Sequence, residues 1–469
     1  MLAVLNILAI SYIFLLFKNK NPVSLSMLWV VIFYLIYILT PFLRNYSNTL
    51  GWITDSLVNK IAQYSLVGLG SFIFTNCFFF LKLSYLEKTN IFKQNHICFS
   101  SIKKLIFLLV ALSIFFLILG IGIGGVLNIF LAGSRSVWLK GNSFFSTWAQ
   151  LSFFYLSFAS SVLILSADTA EKKRFSYKAF FLITILITTL AFARRTVIYP
   201  ILAILFFKTS QIKNKQSLIK VILISIPIFF SLMYFMGYAR TFGIKTLDMQ
   251  IIKLLFETDN FIDLFLSNTD FSASYNYLAK QIEYGHVNIS VLGYFKAIFA
   301  IIPRSLWPNK PEYSSVLIMK TLMPQKVSEG FSAGTGYIGE SLATMGIFGV
   351  IIISCLWGIA CGVLDKKYFF IQTGREKIER LLSNCSFGFT LFEYYYLYIG
   401  ILLIMESHRG DFGAASLHFI LEIVLLGIFF KIASLRYSYY KNYILKQIVK
   451  RKYKLLYNRS KLKWKGILS

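Results

Sequence analysis

Apolar runs recur along this chain at or near the ~18–20 residues needed to cross the hydrocarbon core of a bilayer. They cover residues 2–17, 23–43, 61–81, 105–131, 148–166, 178–193, 196–207, 219–238, 337–363, 386–405 and 413–432. The pattern predicts an all-α protein, a polytopic transmembrane helix bundle of about 11 spans with one large extracytoplasmic loop. The stretch 178–207 reads either as two short helices meeting at Arg194-Arg195 or as one long helix broken there. A shorter apolar patch at 291–303 has the length to dip into the membrane from one side. Four regions follow: an N-terminal transmembrane bundle (1–238), the large loop (239–336), a C-terminal transmembrane bundle (337–432) and a basic tail (433–469). Residues 1–17 have no basic segment before them and no small-residue cleavage site after them, so they read as a first membrane helix and not as a signal peptide.

Composition agrees with the pattern. Hydrophobic residues make up 57% of the chain and charged residues 14%, against roughly 25% charged in a soluble domain. The mean hydropathy is +0.66. Net charge is +28, which in a soluble protein would suggest nucleic acid. Here the positive residues sit in short connections between apolar runs and in the tail, so they report topology and attraction to membrane lipid headgroups, not nucleic acid. The tail from 433 onward, with Lys450, Arg451, Lys452 and Lys454, carries no acidic residue and is expected in the cytoplasm. Counting back one crossing at a time places 364–385, 208–218, 167–178, 82–104 and 18–22 on the same side, and each of these is basic. The segment 239–335 then falls outside, nearly balanced with nine Lys/Arg against eight Asp/Glu. A loop of that length on a membrane scaffold usually carries function. The five cysteines form no C-x-x-C pair, and none lies between 239 and 335, so neither a disulfide framework nor a zinc site is expected.

With orientation assigned, the candidate chemistry is what departs from the basic-inside pattern. Arg135, Arg194, Arg195, Arg240, Arg304 and Arg409 fall on the outer side, at or near the ends of spans. Arginine grips phosphate bidentately and does not lose its charge, so such a set suits a pyrophosphate carried by a membrane lipid; the alternative is snorkelling to headgroups. Arg194-Arg195 interrupt an apolar stretch, where charge is costly unless it meets a cavity or a partner. Pro303-Arg304-Ser305-Leu306-Trp307-Pro308-Asn309-Lys310-Pro311 holds three prolines in nine residues and must be an extended, kinked loop. Trp307 can stack on a sugar ring or anchor a rigid interfacial turn. The glycine-rich run from Gly330 to Gly346 leads into a helix near 337. Glu340 in its first turns is a general base, a partner of an outer arginine or a helix-start charge. Glu406-Ser407-His408-Arg409-Gly410-Asp411 reads as a short outer connection after the 386–405 span. His408 and Asp411 are candidate proton acceptors, with the ordinary polar hairpin as the alternative. His286 is a further outer histidine. No P-loop, dinucleotide fingerprint, zinc-protease motif or Ser-His-Asp order is present, and no cofactor or metal is expected.

The order of the broken helix at Ala193-Arg194-Arg195-Thr196, the large loop, the proline-rich Pro303–Pro311 segment, Tyr337-Ile338-Gly339-Glu340 and Arg409-Gly410-Asp411 resembles the O-antigen polysaccharide polymerase (Wzy type) family. Some members carry R-x10-G motifs in outer loops; no arginine here has glycine at that spacing. The resemblance implies a glycosyltransferase of the bacterial inner membrane that joins undecaprenyl-pyrophosphate-linked oligosaccharide repeat units, with lipid pyrophosphate as leaving group and no nucleotide sugar. It implies substrate-binding roles for Arg194, Arg195, Arg304, Arg409 and Trp307, and a base among His408, Asp411, Glu340 and His286. The resemblance also brings in a chain-length regulator protein as an expected partner. O-antigen ligase, a flippase or transporter of the same lipid-linked sugar, and a non-catalytic assembly partner are the competing functions.

Overall fold

The computed structural model describes residues 1–18, 24–46, 50–82, 99–132, 143–167, 169–191, 194–210, 216, 220–221, 223–224, 266, 270–285, 287–294, 307, 309, 311–328, 334–381 and 391–410. Every regular element among them is helical: α1 (Leu2–Lys18), α2 (the continuous run Leu25–Phe42), α3 (Asp55–Lys82), α4 (Phe99–Ala132), α5 (Ser143–Leu165) and α6 (Ala170–Ala191). They are followed by α7 (Arg194–Ser210), α8 (Asp270–Tyr284), α9 (Ser314–Leu322), α10 (Pro324–Ser328), α11 (Gly336–Leu381) and α12 (Leu391–Arg409). Among the described residues four stretches are long and apolar enough to cross a membrane: Leu25–Phe42, Asp55–Phe79, Ile102–Val126 and Gly336–Lys366. Leu2–Leu16, Leu151–Leu165 and Val197–Thr209 are shorter apolar helices. Within the 178–207 stretch the described residues are helical on both sides of 192–193, as α6 up to Ala191 and α7 from Arg194. The expected spans 219–238 and 413–432, most of the loop and the tail lie outside the described residues.

Several helices also carry exposed apolar faces. Phe107, Leu108, Phe115 and Ile123 of α4 and Phe181 and Leu182 of α6 are exposed apolar residues, the arrangement a membrane span needs. Helices in lipid gain little from the hydrophobic effect against one another, so close van der Waals packing and buried polar bonds hold them. α3 and α11 approach through Gly358 and Gly362, four residues apart. A Cβ at Gly358 would meet the Phe72 carbonyl oxygen at 2.6 Å, and one at Gly362 would meet the Asn76 side-chain nitrogen at 3.4 Å.

A buried polar cluster fixes the start of α2. Asp365 of α11 is 4% exposed. Its carboxylate accepts from Leu25 N at 2.6 Å, Ser26 N at 2.9 Å and Ser26 Oγ at 2.5 Å. The first N–H groups of a helix have no partner within it, and a carboxylate supplies one while also meeting the positive end of the helix dipole. Asn76 Nδ2 donates to Ser26 Oγ at 2.9 Å and Gly358 O at 3.0 Å, and Tyr12 Oη donates to Asn76 Oδ1 at 2.6 Å. Four helices are therefore joined at one end of α2. Sequence reading had counted the neighbourhood of Asp365 only as a basic connection.

Two further features shape the interior. α2 widens to a π-helical turn at Leu35–Leu39. Pro41 follows it; proline has no N–H to give the carbonyl four residues back, and π-turns recur at functional sites. α11 turns sharply at Gly346 (φ 60, ψ −147). The arm before Gly346 folds back, because Tyr337 Oη and Ser354 Oγ both lie against the same face of Gly68, at 2.9 and 3.2 Å from where its Cβ would be. A straight helix would hold residues 337 and 354 about 25 Å apart. The stretch expected as one span over 337–363 is thus interrupted at Gly346.

Candidate active site

The chain from Glu406 to Arg409 does not form the short outer connection expected of it. α12 continues through Arg409, and Glu406, Ser407 and His408 are 2%, 0% and 1% exposed. The polar residues extend the apolar helix by one turn because tertiary partners receive them. Gly400 packs on the Leu25 side chain at the start of α2. At 1.5 Å rise per residue, Arg409 stands about 13 Å further along, roughly halfway up α2. Ring contacts agree with that level: His408 lies 4.9 Å from Trp29, and the His408 carbonyl shares the surroundings of Gly336 with Tyr37.

At this level the ends of two elements cross. Gly336 (φ 71) opens the folded-back arm of α11 and Gly410 (φ 83) follows the last residue of α12. A Cβ at Gly334 would run into the Arg409 carbonyl, and one at Gly410 would run into the Gly336 nitrogen. Glycine is needed at both backbones, for positive φ and for contact without side chains between them. α8 closes one side: Ser274 Oγ donates to Arg409 O at 3.4 Å, and Gln281 Nε2 donates to Gly339 O at 2.8 Å.

His408 sits in an aromatic frame. Besides Trp29, the Tyr337 ring lies 5.4 Å away at 69°. Trp29 is itself held by a 3.8 Å parallel stack on Phe72 and a 5.3 Å stack on Phe33. His408 Nδ1 lies 2.9 Å from Ile404 O. A carbonyl can only accept, so Nδ1 carries the proton and Nε2 of the neutral ring is an acceptor. Nε2 is buried and has no hydrogen-bond partner among the described residues. Thr335 Oγ1, at the start of the α11 arm, shares that condition.

Glu340 is 1% exposed in the second turn of the same arm. The 287–294 segment packs there: Ile289 N donates to Ala343 O at 2.9 Å, Tyr294 Oη to Ser341 Oγ at 3.4 Å, and Thr344 Oγ1 to Tyr294 Oη at 3.2 Å. Burial first, then the nearby Glu340 carboxylate, holds the Tyr294 phenol well above its ordinary range, so it stays a neutral donor. Arg409 is half-buried at the end of α12, and Trp307 is half-buried too. Arg194 and Arg195 open α7, with side chains outside the described residues. Arg304, Asp411, His286 and Arg240 also lie outside them. The structure therefore brings His408, Arg409 and the Gly336 arm together and sets Glu340 beside Tyr294. The sequence singles out neither Trp29 nor Tyr37, which look like any aromatic in an apolar span, and it marks Tyr337 only as part of the glycine-rich helix start. It also passes over Tyr199, whose hydroxyl donates to Glu406 at 2.7 Å; an acid so near an apolar run was the available signal. No group of three or more His, Cys, Asp or Glu suited to a metal ion occurs among the described residues.

No curated protein and no solved structure matches the chain. The family model described as O-antigen polysaccharide polymerase Wzy matches residues 1–376. Together with the apolar helices, that match makes this chain a multi-pass membrane protein that belongs to the O-antigen polysaccharide polymerase Wzy family.

Proposed function

We propose that this chain polymerises undecaprenyl-pyrophosphate-linked oligosaccharide repeat units into O-antigen or a related surface polysaccharide. The reaction takes place toward the outer face of the bacterial inner membrane. About eleven spans carry it, with the 239–336 loop periplasmic and the 433–469 tail cytoplasmic. The observation that carries this reading is His408: a buried imidazole with its tautomer set by Ile404 and its free acceptor at the crossing of two helix ends, in a chain of the Wzy family.

In the proposed step, a hydroxyl of the incoming lipid-linked unit attacks the anomeric carbon of the growing chain. The hydroxyl proton passes to His408 Nε2. A new glycosidic bond forms as the bond from the anomeric carbon to the pyrophosphate oxygen breaks. The electron pair leaves with the lipid pyrophosphate, whose charge Arg409, Arg194, Arg195 and Arg304 neutralise. Trp307 stacks on the glycan. Glu340 and Asp411 are alternative proton acceptors, and a chain-length regulator protein is a further proposed partner.

A gel ladder of surface polysaccharide from a deletion strain tests the reading. Loss of the gene is expected to leave cores bearing one repeat unit. Wild type restores the ladder, whereas His408→Ala and Arg304→Ala do not, although both proteins reach the membrane. Lipid-linked polymer persisting in the deletion strain would defeat the proposal in favour of ligase.

A further inference from the structure

Tyr199 and Glu406 have no part in the scheme above, yet they form a buried bond between elements 207 residues apart. Tyr199 Oη donates to Glu406 Oε1 at 2.7 Å, with the two residues 4% and 2% exposed. A carboxylate in an apolar helix pair is costly and persists only where something compensates.

The level of the bond is informative. Tyr199 lies four residues beyond Arg195, in the second turn of α7. Glu406 lies one turn before Arg409-Gly410, where α12 stops. The pair thus joins α7, one turn after Arg195, to α12, one turn before its end at Arg409. Terminal turns lack part of the internal hydrogen-bond ladder. In α7 the next residue is Pro200, which has no N–H to offer the Thr196 carbonyl. The turn that opens at Arg194-Arg195 is therefore held less by its own backbone than an ordinary first turn.

We infer that Tyr199 and Glu406 are positioning residues for the polymerase reaction. Their bond sets the height of the last turn of α12, and so of His408 and Arg409, against the start of α7. The inference rests on the polymerase reading of the His408 site. Glu406 acts through placement, so an uncharged acceptor of the same shape serves as well.

The test uses the purified full chain and a pyrophosphate-linked repeat unit isolated from the deletion strain, with initial rates, KM and thermal unfolding measured together. Tyr199→Phe and Glu406→Ala are each expected to lower kcat on the order of ten- to a hundredfold. KM stays near wild type, and the fall in kcat per folded molecule exceeds what the lower unfolding temperature from losing a buried bond accounts for. The double variant is no slower than the worse single variant, because each single variant already removes the Tyr199–Glu406 bond. Glu406→Gln, which keeps an acceptor oxygen, stays within about threefold of wild type. If Glu406→Ala fails to fold, the near-isosteric Tyr199→Phe and Glu406→Gln carry the comparison. Wild-type kcat in Tyr199→Phe overturns the inference. So does a Glu406→Gln as slow as Tyr199→Phe, or a loss that only tracks the folded fraction. His408→Ala separates the two ideas: if it polymerises normally, the reading of the site fails, whatever the pair does.

Discussion

Two buried polar clusters flank α2, and they differ in how completely they are satisfied. At the start of the helix Asp365 accepts three hydrogen bonds, and Tyr12, Asn76 and Ser26 link it to the neighbouring helices. Roughly halfway along, His408 makes one bond to its own helix, while its Nε2 and Thr335 Oγ1 have no partner among the described residues. Buried polar groups are usually satisfied because leaving one unpaired costs about 1–3 kcal/mol. A closed cluster stabilises an architecture; an open one stores a cost that a substrate can relieve. The contrast suits a folding role for the Asp365 cluster and the chemical role proposed above for His408.

Substitutions can break that contrast. The largest expected effect is on His408→Ala: a loss of about 10²–10⁴-fold in polymer formation per folded molecule, well beyond what the cavity left by the buried ring costs in folded fraction. Purified-protein rates beside a melting curve check it. A melting point that falls as far as the activity would move His408 into the structural class. Asp365→Ala should show the opposite signature. It strands three buried donors and is expected to destabilise the protein by about 3–5 kcal/mol, with rate per folded molecule nearly unchanged. Gly410→Ala comes next and should touch both properties. Positive φ alone costs an L-residue about 1–2 kcal/mol, and the Cβ would also push the two helix ends apart; melting and gel ladder should fall together. The smallest effect is expected for Tyr294→Phe, about 0.5–1.5 kcal/mol, because the two hydrogen bonds of its hydroxyl, to Ser341 and from Thr344, are long. Because burial keeps this phenol protonated beyond its ordinary range, wild-type activity between pH 7 and 9 should show no step that the variant lacks.

Much of the fold was legible from local pattern. The helix pair flanking Arg194-Arg195 was one of two readings offered by two short apolar runs with a charged break. The helix starting near Gly336 was visible in its glycine run. The candidate site was legible only in part. His408, Arg409 and Glu340 stood out as ionisable groups beside apolar spans, but the burial of His408 did not. Glu406-Ser407-His408-Arg409 looked like a loop because four polar residues in a row usually face water. The helix continues through them because α2, α7, α8 and α11 supply packing and partners, and no local window contains those residues.

The sequence by itself determined that this is a helical membrane protein, which runs are apolar enough to span, and which ionisable side chains are scarce enough to matter. Those properties depend on hydropathy and charge over a few turns of chain. Only the tertiary structure decided that α11 folds back at Gly346, that Asp365 fastens the start of α2, and that His408 sits against Trp29 and Tyr337 halfway along a span. Each of these depends on contacts between residues tens to hundreds of positions apart. Their energy comes from close packing and from pairing buried polar groups, neither of which exists until the helices have met.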